Sequence, residues 1–128
     1  MVAWNDDKAI AQDRGSLAFE VYMAQSTPQK TPNQIKAVLP DHLAYLSGLE
    51  ASGQVLMAGP TSHETGEHMQ SMGMLVFRAA SMDEARALVE DDPMHKSGAR
   101  TFTLRKWLVN EGNISLAVGL SSGTVNLS

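Results

Sequence analysis

The sequence predicts an α+β fold of the ferredoxin-like type, two helices on one face of a four-stranded antiparallel sheet, and three observations predict it. Stretches with strand-like apolar patterning occur four times before residue 110. Two helix-start signatures separate them, so the order reads βαββαβ. The chain has 128 residues, 43% of them hydrophobic, enough for the core of one domain and too few for two.

The first strand is Ser16-Leu-Ala-Phe-Glu-Val-Tyr-Met-Ala24, with Leu17, Phe19, Val21 and Met23 on one face and Ala18, Glu20 and Tyr22 on the other. Residues 1–15 before it form a polar lead with room for a turn or two of helix. Thr31-Pro-Asn-Gln34 then joins a capping Thr, a Pro at the first helical position and a Gln three residues after the cap. Ile35, Val38, Leu39, Leu43, Leu46 and Leu49 follow at helical spacing, and Gly53 stops the helix. Pro40 lacks the N–H owed to the preceding turn, which predicts a kink or a restart near Leu39, in two pieces.

Gln54-Val-Leu-Met-Ala58 is a short second strand closed by Gly59 and Pro60, and Met72-Gly-Met-Leu-Val-Phe-Arg78 is the third, leaving a long loop over residues 60–71. Ser81-Met-Asp-Glu84 is a second capping box. It opens a helix with Ala85, Leu88 and Val89 inward, ended by Asp92 because the residue before Pro93 is pushed out of the helical region. Thr101-Phe-Thr-Leu-Arg-Lys-Trp-Leu-Val109 is the fourth strand.

Strand three is apolar on both sides, with Leu75 and Phe77 on one and Met72, Met74 and Val76 on the other. Two helices cover one face, so a second cover is expected, most simply another copy of the chain in a homodimer or a higher even oligomer. In the tail Ile114, Leu116, Val118 and Leu120 alternate with small and polar residues, which predicts an extra C-terminal strand. The expected organisation is a lead over residues 1–15, a domain over 16–110 and a packed tail over 111–128.

Charge and composition exclude several functions. Ten Lys and Arg against fourteen Asp and Glu give a net charge of −4, and the basic residues are scattered, so no nucleic-acid partner is expected. No cysteine is present, which rules out disulfide and thiolate chemistry. No apolar run approaches the roughly 20 residues of a membrane span, and the N-terminus lacks a signal-peptide layout, so a soluble cytoplasmic protein without a membrane partner is expected.

Two places carry candidate chemistry. Thr61-Ser-His-Glu-Thr-Gly-Glu-His68 packs two histidines and two glutamates into a stretch between strands. Its spacing departs from the zinc-protease motifs, and histidines in polar hairpin loops are usually solvated, so no metal is assigned to it. His42 instead belongs to the apolar stripe of the first helix, four residues from Val38 and from Leu46, and Asp92 extends that of the second. A buried carboxylate calls for a partner. The two helices lie side by side in this fold, so the pair can meet, either as a structural hydrogen bond or as a base with its orienting carboxylate.

His42-Leu-Ala-Tyr-Leu46, Val55-Leu-Met-Ala-Gly-Pro60 after Gly53, Ser81-Met-Asp-Glu-Ala85 and Asp92-Pro-Met-His-Lys-Ser-Gly98 together resemble the YCII-like family over about residues 16–110. The resemblance implies a dimeric α+β barrel related to muconolactone isomerases, with a pocket in each subunit and a His–Asp active-site pair carried onto His42 and Asp92. It also implies a lyase or isomerase acting on a small cyclic or aromatic catabolite without metal or organic cofactor, most concretely removing chloride from a chlorinated hydroxyquinol. Gly59, Pro60, His63, His68 and Arg100 are the expected substrate-binding residues, with Arg78 an alternative to Arg100 for an oxyanion. The rival readings are a ligand-binding dimer without turnover and a metal-dependent enzyme centred on the His63 and His68 loop.

Overall fold

The computed structural model describes residues 1–127. Its elements run α1 (Trp4–Asp13), β1 (Phe19–Pro28), α2 (Pro32–Ala51), β2 (Val55–Ser62), β3 (Met69–Phe77), α3 (Met82–Glu90), α4 (Pro93–Lys96), β4 (Arg100–Val109), β5 (Leu116–Val118) and β6 (Val125–Leu127). Contacts divide them into two units, residues 20–107 with most of the larger sheet and α2 to α4, and residues 1–19 with 108–127, holding α1 and the β5, β6 hairpin. No helix among the described residues is long and apolar enough to cross a membrane.

The capping chemistry of the sequence sets where the helices begin. Thr31 Oγ1 accepts from the Gln34 N–H at 3.3 Å while Gln34 Oε1 accepts from the Thr31 N–H at 3.0 Å, which satisfies two orphan donors at the start of α2. Gly53, at φ +76°, takes the left-handed position that ends it. Contrary to the expected break, α2 continues through Pro40 as one helix. Pro40 and Lys36 are both exposed, so water takes the carbonyl that proline leaves unpaired. Ser81 caps α3 by accepting from the Glu84 N–H at 3.1 Å.

The larger sheet has the order β2-β3-β1-β4, with β3 antiparallel to both β1 and β2. Along one face Tyr22 lies opposite Phe77, Ala24 opposite Leu75 and Ser26 opposite Gly73. The first two pairs form the core with Leu49 of α2 and Ala85 and Val89 of α3. Burying a side chain such as Phe77 or Val89 contributes about 1.5–3 kcal/mol each. At the third pair the bulk runs out. Pro60 stands on the far side of Gly73, and where Ser26 and Gly73 replace large side chains the helices have nothing to pack on, which leaves a hollow.

The expected dimeric α+β barrel is corrected by this topology. The four-stranded sheet is open with β2 and β4 at its edges, and β5 with β6 makes a separate two-stranded sheet, so no sheet closes and the fold is α+β with two sheets. Four strands twisting by about 20–25° per neighbour do not bring their edges together. The tail is also not one added strand. Leu116 pairs with Leu127 and Val118 with Val125, the chain reversing where Gly119 N–H donates to the Thr124 carbonyl at 2.8 Å. Ser128, the end of the expected tail, lies outside the described residues.

The loop expected over residues 60–71 is shorter. Thr61 and Ser62 extend β2, and Met69 to Ser71 belong to β3, which leaves residues 63–68 as the connection. Pro60 is accommodated because β2 is an edge strand, where a missing N–H costs no ladder bond.

Candidate active site

The hollow is a cavity of about 440 Å³ within the unit of residues 20–107. Ile35, Leu39 and His42 of α2 wall one side, and Ser26, Gly59, Pro60 and Gly73 form the sheet side, with Met94 and Arg100 at the end. Its lining is mostly apolar, so the polar groups in it stand out.

His42 reaches it from the second half of α2. Its Nδ1 lies 2.8 Å from both Asp92 Oδ1 and Asp92 Oδ2. Asp92 does not sit on α3, which ends at Glu90; it caps α4, accepting the Met94 N–H at 2.9 Å. Only 2% of its side chain is exposed, against 18% for His42. Burying a carboxylate costs several kcal/mol unless its lone pairs are occupied, and here the ring and a backbone N–H occupy them. A carboxylate facing Nδ1 requires a proton on that nitrogen. Nε2 has no partner among the described residues, so its lone pair is available to a ligand in the cavity. Tyr45, one turn beyond His42, donates its hydroxyl to the Leu88 carbonyl at 2.6 Å and fastens α2 to α3. Burial, aided by Asp91 and Asp92, pushes the Tyr45 hydroxyl up to about 12, so it stays a donor.

Across the cavity Arg100, the first residue of β4, is held by three acceptors. Its Nε donates to Ser26 Oγ at 2.8 Å, and its Nη2 to the Ser26 carbonyl at 3.0 Å and to the Ser71 carbonyl. Ser71 is at φ +59°, a left-handed position a non-glycine residue occupies at a cost of about 1–2 kcal/mol, and its carbonyl is the one that meets the guanidinium. Behind Ser26 stands His95. Its Nε2 is 2.8 Å from Ser26 Oγ and its Nδ1 is 2.8 Å from the Val89 carbonyl. The ring packs edge-on against Phe102 with centroids 4.9 Å apart. Burial holds His95 below its ordinary value, outweighing the opposing Val89 carbonyl and Asp92, while Arg100 and His42 push the same way as burial. A neutral ring facing a carbonyl carries its proton on Nδ1, so Nε2 accepts the Ser26 O–H.

Of the residues expected from the sequence, His42, Asp92, Gly59, Pro60 and Arg100 converge here, Asp92 through His42 and the others in the cavity wall. His63 and His68 do not line it. They flank the turn at the tip of the β2, β3 hairpin, where His63 Nδ1 bonds Thr65 Oγ1 at 3.2 Å. Arg78 lies elsewhere and donates to the Gly53 carbonyl at 3.2 Å. Among the described residues no group of three or more His, Asp or Glu side chains is placed to hold a metal ion. Ser26 and His95 were missed. The alternation Tyr22, Ala24, Ser26 was the available signal, since a polar residue continuing an apolar row points at whatever the row faces.

The chain is similar to known proteins in sequence and in fold. The family model described as YCII-related domain matches residues 18–108. An uncharacterised protein of Bacillus subtilis (strain 168), YjpA, is 33% identical over 66 residues, which is 52% of this chain and 71% of that protein. Among solved structures, 5-chloro-2-hydroxyhydroquinone dehydrochlorinase (TftG) from Burkholderia phenoliruptrix AC1100, in complex with 2,5-dihydroxybenzoquinone, superposes with a TM-score of 0.49 at 24% identity, covering 68% of this chain and 92% of that one.

Proposed function

The chain belongs to the YCII-related domain family, and on that premise we propose that it is a lyase or isomerase acting on a small cyclic or aromatic compound, with His42 as general base and Asp92 as its orienting carboxylate. The observation that carries the reading is the placement of the pair: Nδ1 is engaged by a buried carboxylate and Nε2 is left with an unspent lone pair in a largely apolar cavity. Such a base takes a proton from an acidic hydroxyl or ring position, and Asp92 stabilises the imidazolium formed.

The concrete reaction is loss of hydrogen chloride from a chlorinated hydroxyquinol. A ring hydroxyl gives its proton to His42 Nε2, and that proton returns at the ring carbon bearing chlorine to make a ketone tautomer. Loss of a second hydroxyl proton then expels chloride with its bonding pair and leaves a hydroxyquinone. The atoms and electrons balance without an oxidant, and chloride leaves as a stable anion, so a cofactor has no step to perform. Arg100, with Nη1 unbonded among the described residues, holds the oxyanion that forms.

Leu39, Leu43 and Met74 beside the cavity are exposed, and we assign their cover to a second copy of the chain. The test of function is to incubate the protein with chlorinated and unchlorinated hydroxyquinols and follow chloride by ion chromatography and quinone by absorbance. Chloride and quinone in equal amounts are expected from the chlorinated compound alone. Binding without chloride release across the series overturns the lyase and leaves a ligand carrier.

A further inference from the structure

We propose that Ser26 and His95 form a second proton-handling site in the cavity, one that takes the hydroxyl proton of a phenol or enol ligand while Arg100 holds the oxyanion produced. The inference rests on the same cavity as the reading above but on different atoms. A half-buried histidine behind a buried serine, itself bonded to an arginine at the wall of an apolar cavity, needs a reason to be there, and neither residue is needed by His42 and Asp92.

The donors and acceptors define a one-way relay. His95 Nδ1–H is committed to the Val89 carbonyl at 2.8 Å, so its lone pair on Nε2 receives the Ser26 O–H at 2.8 Å. Ser26 Oγ accepts Arg100 Nε–H at 2.8 Å and keeps a further lone pair. Ser26 is 4% exposed, and the cavity is what it faces. A ligand hydroxyl placed there donates to that lone pair. Its O–H bond breaks as the proton joins Ser26 Oγ, and the proton Ser26 already carried passes to His95 Nε2. Serine is restored, His95 becomes imidazolium, and the ligand is an oxyanion beside Arg100 Nη1, which has no partner among the described residues. A serine hydroxyl held between a neutral imidazole and a guanidinium is suited to pass a proton, since one neighbour takes it and the other stabilises the charge left behind. The ligand class follows: a ring with a weakly acidic hydroxyl, which binds neutral and is held ionised.

His95 is faced by Asp92 on its own turn, by Arg100 on β4 and by His42 on α2, and these are the groups that bias its protonation. In the sequence of steps proposed above, the second hydroxyl proton is the one that this site would take.

The test is binding of 4-nitrocatechol, whose absorbance reports its own ionisation, at a pH about one unit below its free midpoint. Titration calorimetry in buffers of different ionisation enthalpy counts the protons given to solvent in the same mixture. Wild-type protein is expected to bind the probe as its phenolate and release close to no proton, because His95 keeps it. His95→Gln is expected to bind it neutral, or ionised with about one proton released per probe. Ser26→Ala is expected to behave as His95→Gln does, and Ser26→Thr, which keeps a hydroxyl, as wild type. Melting curves exclude unfolding, and Ser26→Thr guards against mere loss of packing. His42→Ala is expected to leave ionisation and proton count unchanged. If His42→Ala abolishes proton uptake while His95→Gln does not, the proton resides on His42 and this inference falls while the general-base reading stands. No binding of the probe at millimolar concentration, or the same probe ionisation together with the same proton count in wild type and His95→Gln, overturns it as well.

Discussion

The chain's histidines fall into two settings, a pair at a hairpin tip and a pair beside the cavity. His63 and His68 lie five residues apart next to Glu64 and Glu67, the densest cluster of chemistry-bearing side chains in the sequence. Yet the ring nitrogen of His63 bonds within its own turn, to Thr65 Oγ1 at 3.2 Å and the Thr65 N–H at 3.3 Å. His42 and His95 are scattered along the chain. Their ring nitrogens bond Asp92 and Ser26, fifty and sixty-nine positions away. Closeness in sequence builds a turn that satisfies itself, whereas partners brought from distant elements are paid for by burial and hold a nitrogen in a fixed direction. The second pair therefore has the preorganisation chemistry requires.

The largest expected effect tests that contrast at His42. A general base contributes typically 10²–10⁴-fold to rate, so His42→Ala should lower turnover of a chlorinated hydroxyquinol by about that factor. The ring packs no core, but its loss leaves the buried Asp92 with the Met94 N–H alone, so a lowered melting temperature is expected and turnover is compared at a temperature where both proteins are folded. Asp92 separates charge from structure. Asp92→Asn keeps an oxygen for the Met94 N–H but cannot neutralise an imidazolium, so it should lose less turnover than His42→Ala with a small loss of stability. Asp92→Ala also removes the cap of α4 and strands two buried donors, costing about 2–4 kcal/mol in urea unfolding. Wild-type turnover in His42→Ala and Asp92→Asn would place the cavity pair with the hairpin pair, as structure without chemistry.

His95 sharpens the contrast through pH. Its value in the fold lies below the ordinary one, chiefly because burial disfavours the charged ring. Between the two values the unfolded chain binds more protons than the folded one, so stability rises with pH across that window. On acidification it is lost from about pH 6.5 down to the lowered value. The slope is bounded by one proton, about 1.4 kcal/mol per pH unit, and partial solvation of the ring keeps it well under that. Urea unfolding of wild type and His95→Gln between pH 5 and 8, ranges set by ordinary imidazole titration, should show a flatter profile in the variant. Superimposable profiles would mean that burial does not shift the titration of the His95 ring.

Local chemistry was legible from the sequence where it is decided locally. Thr31 with Gln34 and Ser81 with Glu84 announced both helix starts, because a cap needs three residues and no tertiary context. The meeting of His42 with Asp92 was anticipated from the break each makes in an apolar stripe, although Asp92 arrives as the cap of α4 and not on the stripe of α3. Three features were not legible. Strand alternation puts Ser26 on the face of Tyr22 and Ala24, but with Val21 buried on one face and Tyr22 on the other it does not say which face receives the helices, so that signal alone did not place Ser26 at a cavity. His95 lay within the Asp92 to Gly98 motif, yet its α4 turn is four residues long, too short for periodicity to orient a side chain. Barrel closure is a property of sheet edges, which no residue pattern in one strand encodes.

The smallest expected effect belongs to the hairpin. His63 and His68 do not line the cavity, and His68 is exposed, so replacing both by Ala removes bonds internal to a turn and nothing from the core. Stability should change by no more than about 0.5 kcal/mol, the usual range for surface positions. The hairpin springs from β2 and β3, whose Pro60 and Met72 do line the cavity, so the tip is proposed as a lid over it. A lid residue that meets substrate equally before and during reaction alters affinity and leaves chemistry alone, so the double variant should raise KM more than it lowers kcat. Activity should also be insensitive to chelators. Loss of kcat as deep as that of His42→Ala, or activity abolished by chelation and restored by one divalent metal, would transfer the chemistry to the hairpin tip and reverse the ranking of the two histidine pairs.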